Sequence, residues 1–322
     1  MNQTVQRFGM GMIAGVVLLT GLSFVSYGAW NSYLELLTHF KLQYALLSLV
    51  LAIGLVQIRC RTWILISLFC LALQSVDLLV WYIPTSQNPA SHSSTLKVLA
   101  VNVNIRNQNY DRVLELVKIE SPDVAVFLET NDDWVKHLQV LRNTFPYFYR
   151  STPQNFDILL YSRSPLTSIS TNFLAPTDRP HLAATLTLNG QTITLIAIHP
   201  PPPLPRLFRD RNQQLETVSR YVQDLNTPMI LLGDFNITPW SPYYRQFIHQ
   251  TGLHNVRQGF GILPTFPAAI RGVEFPAWLV AILGIPIDHC LVRSLQPISV
   301  RVGAAIGSDH LPILVELRLL AR

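Results

Sequence analysis

Acids, amides and imidazoles stand at the ends of several short apolar runs in this sequence, and these are the residues with chemistry to offer. The run Met229–Leu232 leads into Gly233-Asp234-Phe235-Asn236. Residues two apart on a strand face the same way, so Asp234 and Asn236 can aim at one site while Phe235 turns into the core. Gly233 permits close backbone approach just before them. A turn closed by Asx hydrogen bonds explains the same four residues and stands as the rival reading. Glu129 follows the apolar run Val124–Leu128, where a carboxylate must be solvated, paired or bound to a metal. Asn102 and Asn104 interrupt Lys97–Asn104 on one face, and His199 ends Thr192–Ile198. Each of these, taken alone, also reads as a capping or surface residue.

Two Asp-His pairs come late, Asp288-His289 and Asp309-His310. Neighbours on a strand point to opposite faces, so neither pair need be coupled internally. A cross pair, with Asp288 holding the ring of His310, is sterically more natural if the strands adjoin. An Asp so placed fixes the imidazole tautomer and supports its cationic form.

These residues need elements to position them. Lys97–Asn104 is apolar and β-branched, and predicts a strand. Asp111–Glu120 carries Val113, Leu114, Leu116 and Val117 in helical spacing, and Ser121-Pro122-Asp123 breaks it. Val124–Leu128 predicts a buried strand, Asp132–Asn143 a helix and Phe156–Tyr161 a strand. Leu182–Leu188 and Thr192–Ile198 flank Asn189-Gly190, the signature of a two-residue hairpin turn. Pro200–Pro203 forces an extended loop, and a helix is expected over Leu207–Leu225. Ile287–Val292, Ile298–Val302 and Ile313–Leu317 predict the last strands. Hairpins mixed with helical crossovers predict an α/β fold with mixed sheets.

Six motifs then fall in a telling order. They are Leu99-Ala100-Val101-Asn102, Pro122–Glu129, Ala197-Ile198-His199-Pro200, Gly233-Asp234-Phe235-Asn236, Ile287-Asp288-His289 and Gly307-Ser308-Asp309-His310-Leu311-Pro312. In this order they resemble the endonuclease/exonuclease/phosphatase superfamily over about Lys97–Leu317. The resemblance implies a four-layer sandwich of two mixed β-sheets with helices outside. It implies a metal-dependent hydrolase acting on phosphoric ester bonds. Glu129, with Asn102 and Asp309, would hold Mg²⁺ or Mn²⁺, since oxygen ligands suit a hard cation. Asn104 is the alternative to Asn102. Asp234 would orient or deprotonate the attacking water, and Asn236 would contact the phosphate. His199 and His310 would stabilise the charged pentacovalent state or assist proton transfer, with Asp288 holding His310. The expected substrate is a phosphate ester, nucleic acid or phospholipid, and no obligate protein partner is implied. A phosphodiesterase or nuclease is the leading expectation. A phospholipid or sphingomyelin phosphodiesterase and a non-catalytic membrane binding protein are the alternatives.

Two segments depart from the family pattern. Gly261–Pro286 is rich in apolar residues, among them Phe275, Trp278, Ile282 and Leu283. It reads as a core helix or as an apolar loop touching a bilayer beside the site. Arg206, Arg209 and Arg211 read as a solvated helix start or as phosphate ligands.

With 13% charged residues and a mean hydropathy of +0.28, the chain is too apolar for an ordinary soluble enzyme. The surplus lies in residues 1–83, whose only charges are Arg7, Glu35, Lys41, Arg59, Arg61 and Asp77. Phe8–Trp30, Leu42–Ile58 and Thr62–Ile83 predict three transmembrane helices, the second being short. Arg7, Arg59 and Arg61 favour the cytoplasmic side. Three spans then place the domain outside the cytoplasm. Tyr27, Trp30, Trp81 and Tyr82 fall where an outer aromatic belt belongs. Asp77, near the outer end, reads as a functional acid or as one reaching the interface. The expected organisation is an anchor over 1–83, a linker over 84–96 and a catalytic domain over 97–322. The three cysteines, Cys60, Cys70 and Cys290, make no disulfide framework.

Overall fold

Apolar, β-branched runs that end in polar residues become strands that stop at a common level, and this sets where the chemistry can sit. The computed structural model describes residues 3–25, 27–28, 31–57, 59, 61–84, 95–152, 156–172, 179–188 and 190–319. Residues 85–94 of the linker expected over 84–96, Trp30, Cys60 and the turn residue Asn189 lie outside the described residues, and residues 95 and 96 already belong to the first strand of the larger domain.

The N-terminal part holds α1 (Gln3–Val25), α2 (Ser32–Thr38), α3 (Lys41–Gln57) and α4 (Arg61–Leu79), the last followed by a 3₁₀ turn over Val80–Tyr82. By length and composition, two helical stretches are long and apolar enough to cross a membrane, Gln6–Val25 and Arg61–Tyr82, while Lys41–Gln57 is shorter. The bundle is apolar on its outside, and its interior mixes apolar side chains such as Met12, Val16 and Leu55 with a few polar ones. Val17, Leu18, Val50, Ile53, Leu65, Phe69 and Val76 face outward, while Ser48, Ser67 and Gln74 are buried. Gln74 Nε2 donates to Thr20 Oγ1 and Ser48 Oγ between the helices. Asp77 bonds Lys41 Nζ and accepts from Tyr27 Oη, so it braces the ends of the helices.

The short α2 was not expected from the sequence. Asn31 caps it by accepting from Leu34 N–H. It carries Glu35 into full burial against the following domain. Other ties join the two parts: Trp81 O accepts from Gly259 and Gly261 N–H, and Ala45, Leu78, Trp240 and Ile262 pack together.

The larger domain alternates strands and helices. In chain order these are β1 (Thr95–Asn102), α5 (Tyr110–Glu120), β2 (Val124–Thr130), α6 (Asp132–Leu138), β3 (Tyr147–Arg150), β4 (Asp157–Ser162), β5 (Leu166–Asn172), β6 (His181–Leu188), β7 (Gln191–Ile198), α7 (Phe208–Gln223), β8 (Met229–Asp234), α8 (Pro242–Thr251), β9 (His254–Asn255), β10 (Ala269–Ile270), β11 (Val273–Glu274), α9 (Ala277–Leu283), β12 (Asp288–Arg293), β13 (Leu295–Val302) and β14 (Ile313–Leu319). Two six-stranded sheets run β13-β14-β1-β2-β4-β3 and β5-β6-β7-β8-β12-β9. Both are mixed: β1 pairs parallel with β2 and antiparallel with β14, and β8 pairs parallel with β7 and antiparallel with β12. Their inner faces share one core, including Val98, Val126, Leu195, Leu232 and Cys290. Their outer faces are covered by α5 and α6 through Val113, Leu116 and Trp134, and by α7 and α8 through Leu215, Val218 and Phe247. The α/β expectation with two mixed sheets flanked by helices therefore holds.

Gly261–Pro286 forms neither a core helix nor a bare loop. It holds the β10–β11 hairpin and the seven-residue α9, on which Val280 is buried and Trp278 is 64% exposed. The structure also removes both readings of Arg211, which is wholly buried, while Arg206 and Arg209 are exposed.

Gly233 shows how tightly β7 and β8 pair. It sits at φ 143°, and a Cβ there would lie 1.9 Å from Ile198 O. Gly233→Ala is expected to cost ~2–4 kcal/mol or to prevent folding, because the strained backbone and the clash add. Thermal unfolding of the purified chain, followed by tryptophan fluorescence, measures this; an unchanged midpoint excludes the close approach.

Candidate active site

The strand period of two decides which residues reach the site. On β1, Val98 and Ala100 face the shared core, and Asn102 continues that face. On β7, Leu195 and Ala197 do the same, and His199 is next in step. On β8, Ile230 and Leu232 face inward, followed by Asp234, while Phe235 turns to the α7–α8 side. On β12, Cys290 and Val292 face inward and so does Asp288, which pairs directly with Asp234. Four polar residues thus cap the apolar faces at one end of the cleft between the sheets.

Glu129 does not follow this parity, because Phe127 belongs to the outer face of β2. The β2–β4 register shifts between Phe127 and Thr130, and Glu129 adopts φ 57°. The bulge re-aims its carboxylate into the cleft, where Asn102 Nδ2 meets it at 3.1 Å. Asn104 and Asn236 are also left-handed, at φ 56° and 52°. Side chains held in this sparsely populated region cluster where geometry serves function.

Asn102 Nδ2 also donates to Asp234 Oδ2 at 3.0 Å, so one amide spans two carboxylates. Its Oδ1 accepts from Asn104 N–H, which fixes the amide orientation. Asn236 N–H donates to Asp234 Oδ1 at 2.9 Å, and its Nδ2 donates to Pro200 O. The Asx turn and the site reading of Gly233–Asn236 are therefore the same structure. Asp309 accepts from Asn104 Nδ2 at 2.7 Å. Ser308 Oγ donates to the carbonyl of Asn102 and accepts from His310 N–H, tying the last motif to the first.

The cross pair expected from the two Asp-His dipeptides is present. His310 Nδ1 lies 2.8 Å from Asp288 Oδ2, and its Nε2 lies 3.7 Å from Asp234 Oδ2. Burial opposes the cationic ring, but Asp288 and Asp234 outweigh it and raise the pKa of His310 to about 10. His289 points the other way, onto Phe235, and its Nε2 meets Ile237 O at 2.8 Å. The setting of Asp234 raises its pKa. Burial comes first, His310 opposes it, and Asp288 and Glu129 add repulsion, for a pKa of about 8.

His199 is the one site imidazole with no anionic partner at Nδ1. Arg179 Nη1 lies 2.8 Å from that nitrogen and donates to it, so the neutral ring carries its proton on Nε2. Burial, then Arg179 and His310, lower its pKa well below the usual value. Nε2 faces Glu129 Oε1 at 3.4 Å and Asp234 Oδ2 at 3.6 Å. Ligand atoms of Glu129, His199 and Asp234 lie within 4.8 Å of one another, as do those of Asp234, Asp288 and His310. A protonated Nε2 has no lone pair for a cation, and neither has a cationic His310. The donors left are oxygens, which suits a hard divalent ion. The crowded carboxylates give such an ion a charge to neutralise.

Sequence reading missed Arg179 and Phe266, whose ring packs on His310 at 4.9 Å. Neither carries a local signal: each lies in a loop and reaches the site only through tertiary folding.

The chain belongs to the Endonuclease/Exonuclease/phosphatase family, whose model matches residues 99–310. Among solved structures it is similar to D. rerio TDP2 complexed with single strand DNA product, with a TM-score of 0.59 and 16% identity over 70% of this chain and 99% of that one. It is also similar to an endonuclease/exonuclease/phosphatase from Beutenbergia cavernae, with a TM-score of 0.55 and 19% identity over 70% and 72% of the two chains. A third likeness is the endonuclease/exonuclease/phosphatase from Bacteroides vulgatus, with a TM-score of 0.56, 17% identity and coverage of 70% and 99%. At these identities the likeness is one of fold. No curated protein sequence matches the chain.

The Asp288–His310 pair has a pH signature. Its contribution to stability is complete below the unfolded histidine pKa of ~6.5 and is lost as pH rises through about 10. In Asp288→Asn the ring loses its principal anionic support, so its titration is expected to move into the neutral range. Proton NMR of His310 in the two proteins checks this; identical titrations exclude the coupling.

Proposed function

We propose that this protein is a divalent-metal-dependent phosphodiesterase, acting as a nuclease outside the cytoplasm from a membrane anchor. The observation that carries the chemistry is the convergence of Asn102, Glu129, His199, Asp234, Asp288 and His310 at one end of the cleft. The single-stranded DNA product bound to the similar D. rerio protein supports a nucleic-acid substrate.

In this reading Glu129 and Asp309 would hold Mg²⁺ or Mn²⁺, and Asn102 would join them with its amide turned over, because its Nδ2 faces Glu129 and Asp234 in this structure. Bound there, such an ion would supply Lewis-acid stabilisation of the charge that develops on the phosphate ester. Asp234 orients the attacking water and takes its proton as the O–P bond forms and the P–O bond to the leaving group breaks. It requires added positive charge nearby to ionise at neutral pH, because burial and its acid neighbours favour the neutral carboxyl. His310, kept cationic by Asp288, and the Nε2–H of His199 donate to oxygens that gain charge in the transition state. Asn236 contacts the phosphate.

The anchor reading rests on the apolar exterior of the helical bundle, inside which Gln74 Nε2 donates between helices. With Arg7, Arg59 and Arg61 on the cytoplasmic side, three crossings put the catalytic domain outside.

A second reading, a phospholipid diesterase, is favoured by α9. Gln43 Nε2, at the start of α3, donates to Ile282 O and Gly284 O. This holds the exposed Trp278, Ile282 and Leu283 level with the end of a helix assigned to the bilayer.

Hydrolysis of single-stranded DNA and of phospholipid vesicles, each with Mg²⁺ and with EDTA, separates the two substrates. DNA is expected to be cut with Mg²⁺ alone, and Asp234→Ala to lower kcat ~10³-fold. Activity that survives EDTA removes the metal mechanism. In intact cells, external protease is expected to reach the domain; cleavage only after lysis reverses the orientation.

A further inference from the structure

The loop that follows Asp234 is not held by its own domain alone. Arg211, near the start of α7, is wholly buried, and its Nη1 donates to Asn236 O at 3.1 Å. Its Nη2 lies 3.1 Å from Glu35 Oε1, and Glu35 is equally buried although it belongs to α2, between the first two apolar helices. The same Glu35 oxygen accepts from Ser241 Oγ at 2.8 Å. One turn on, His39 Nδ1 meets Thr238 Oγ1 at 2.9 Å. Two contacts from the N-terminal region, at Thr238 and Ser241, and a third made by Arg211 while it is paired with Glu35, therefore grip the segment 236–241 along its length. Asn236 in turn donates its N–H to Asp234 and sits in the left-handed region.

We infer that Glu35 is a positioning residue for the active-site loop, acting through Arg211 on the backbone of Asn236, so that α2 completes the catalytic unit. This rests on the phosphodiesterase reading of Asp234. The physical case is direct. A buried guanidinium with its carboxylate removed is an unpaired charge, and it relaxes by leaving its other partners. Asn236 O is one of those partners, and its loss frees a strained residue two positions from Asp234. Asn212 Oδ1 also accepts from Arg211 Nε and Nη2, but it is neutral and cannot replace the carboxylate.

The test uses the full chain in detergent with Mg²⁺ and bis(p-nitrophenyl) phosphate. Glu35→Gln keeps the shape and removes the charge. We expect kcat to fall at least tenfold with KM within twofold, and amide exchange across 235–240 to speed at least tenfold while β1 and β7 stay protected. Glu35→Asp, which keeps the charge, is expected to restore part of kcat. A role confined to stability predicts a lower melting temperature with kcat and loop exchange unchanged, and that result overturns the inference; so does faster exchange with unchanged kcat. Should Glu35→Gln fail to fold, Arg211→Lys keeps the charge pair and loses the fork, and the same two readouts decide. If the wild-type chain turns over no phosphodiester, the functional reading fails, and the exchange measurement alone decides whether Glu35 holds the loop.

Discussion

Negative charge crowded into a nearly dry cleft is the constraint around which the structure is arranged. Asp234 and Asp288 face each other across paired strands, and Glu129 is joined to Asp234 by a single shared amide. Carboxylates this close and this buried cannot all ionise without compensation. The protein supplies part of it with His310, held cationic by Asp288. The shared amide of Asn102 and the backbone N–H of Asn236 supply more. What remains is the charge that a divalent ion is suited to meet. The same logic explains why His199 stands apart: with Arg179 at its Nδ1, it is a neutral donor and adds no further charge.

The two sheets exist, in effect, to end four strands at one level. Their inner faces are apolar up to the last residue, and the polar groups appear only where the cleft opens. That economy fails once, at Glu129, which has the wrong parity and needs a bulge and a left-handed backbone to enter the cleft. The helices on the outer faces cover the sheets, and Arg211 on α7 also reaches back under the site loop.

Much of this was legible because strand parity and motif order are local properties. Asp234 and Asn236 on one side with Phe235 on the other follows from the period of two, and the Asp288–His310 pair follows from the opposed directions within each Asp-His dipeptide. The elements that escaped are short or weakly patterned. Strand β3 has four residues at the sheet edge, and α2 is hidden between apolar stretches. Helix α8 was signalled by Ser241-Pro242 at one end and Gly252 at the other, a capping pattern that goes with only four buried side chains between them. The burial of Arg211 could not be read from its neighbours, because its partner lies far away in the chain. Asp77 likewise shows its nature only in three dimensions, where Lys41 and Tyr27 converge on it.

The Glu35–Arg211 pair also bears on how such a protein can change over generations. One half of the pair sits in the helical region and the other in the larger domain, each without exposure to water. A recombination that gave this larger domain a different set of helices would leave a guanidinium stranded in the interior unless the new segment brought its own acid to the same spot. Exchange of either half alone is therefore disfavoured by one buried charge pair, in proportion to what an unpaired interior guanidinium costs.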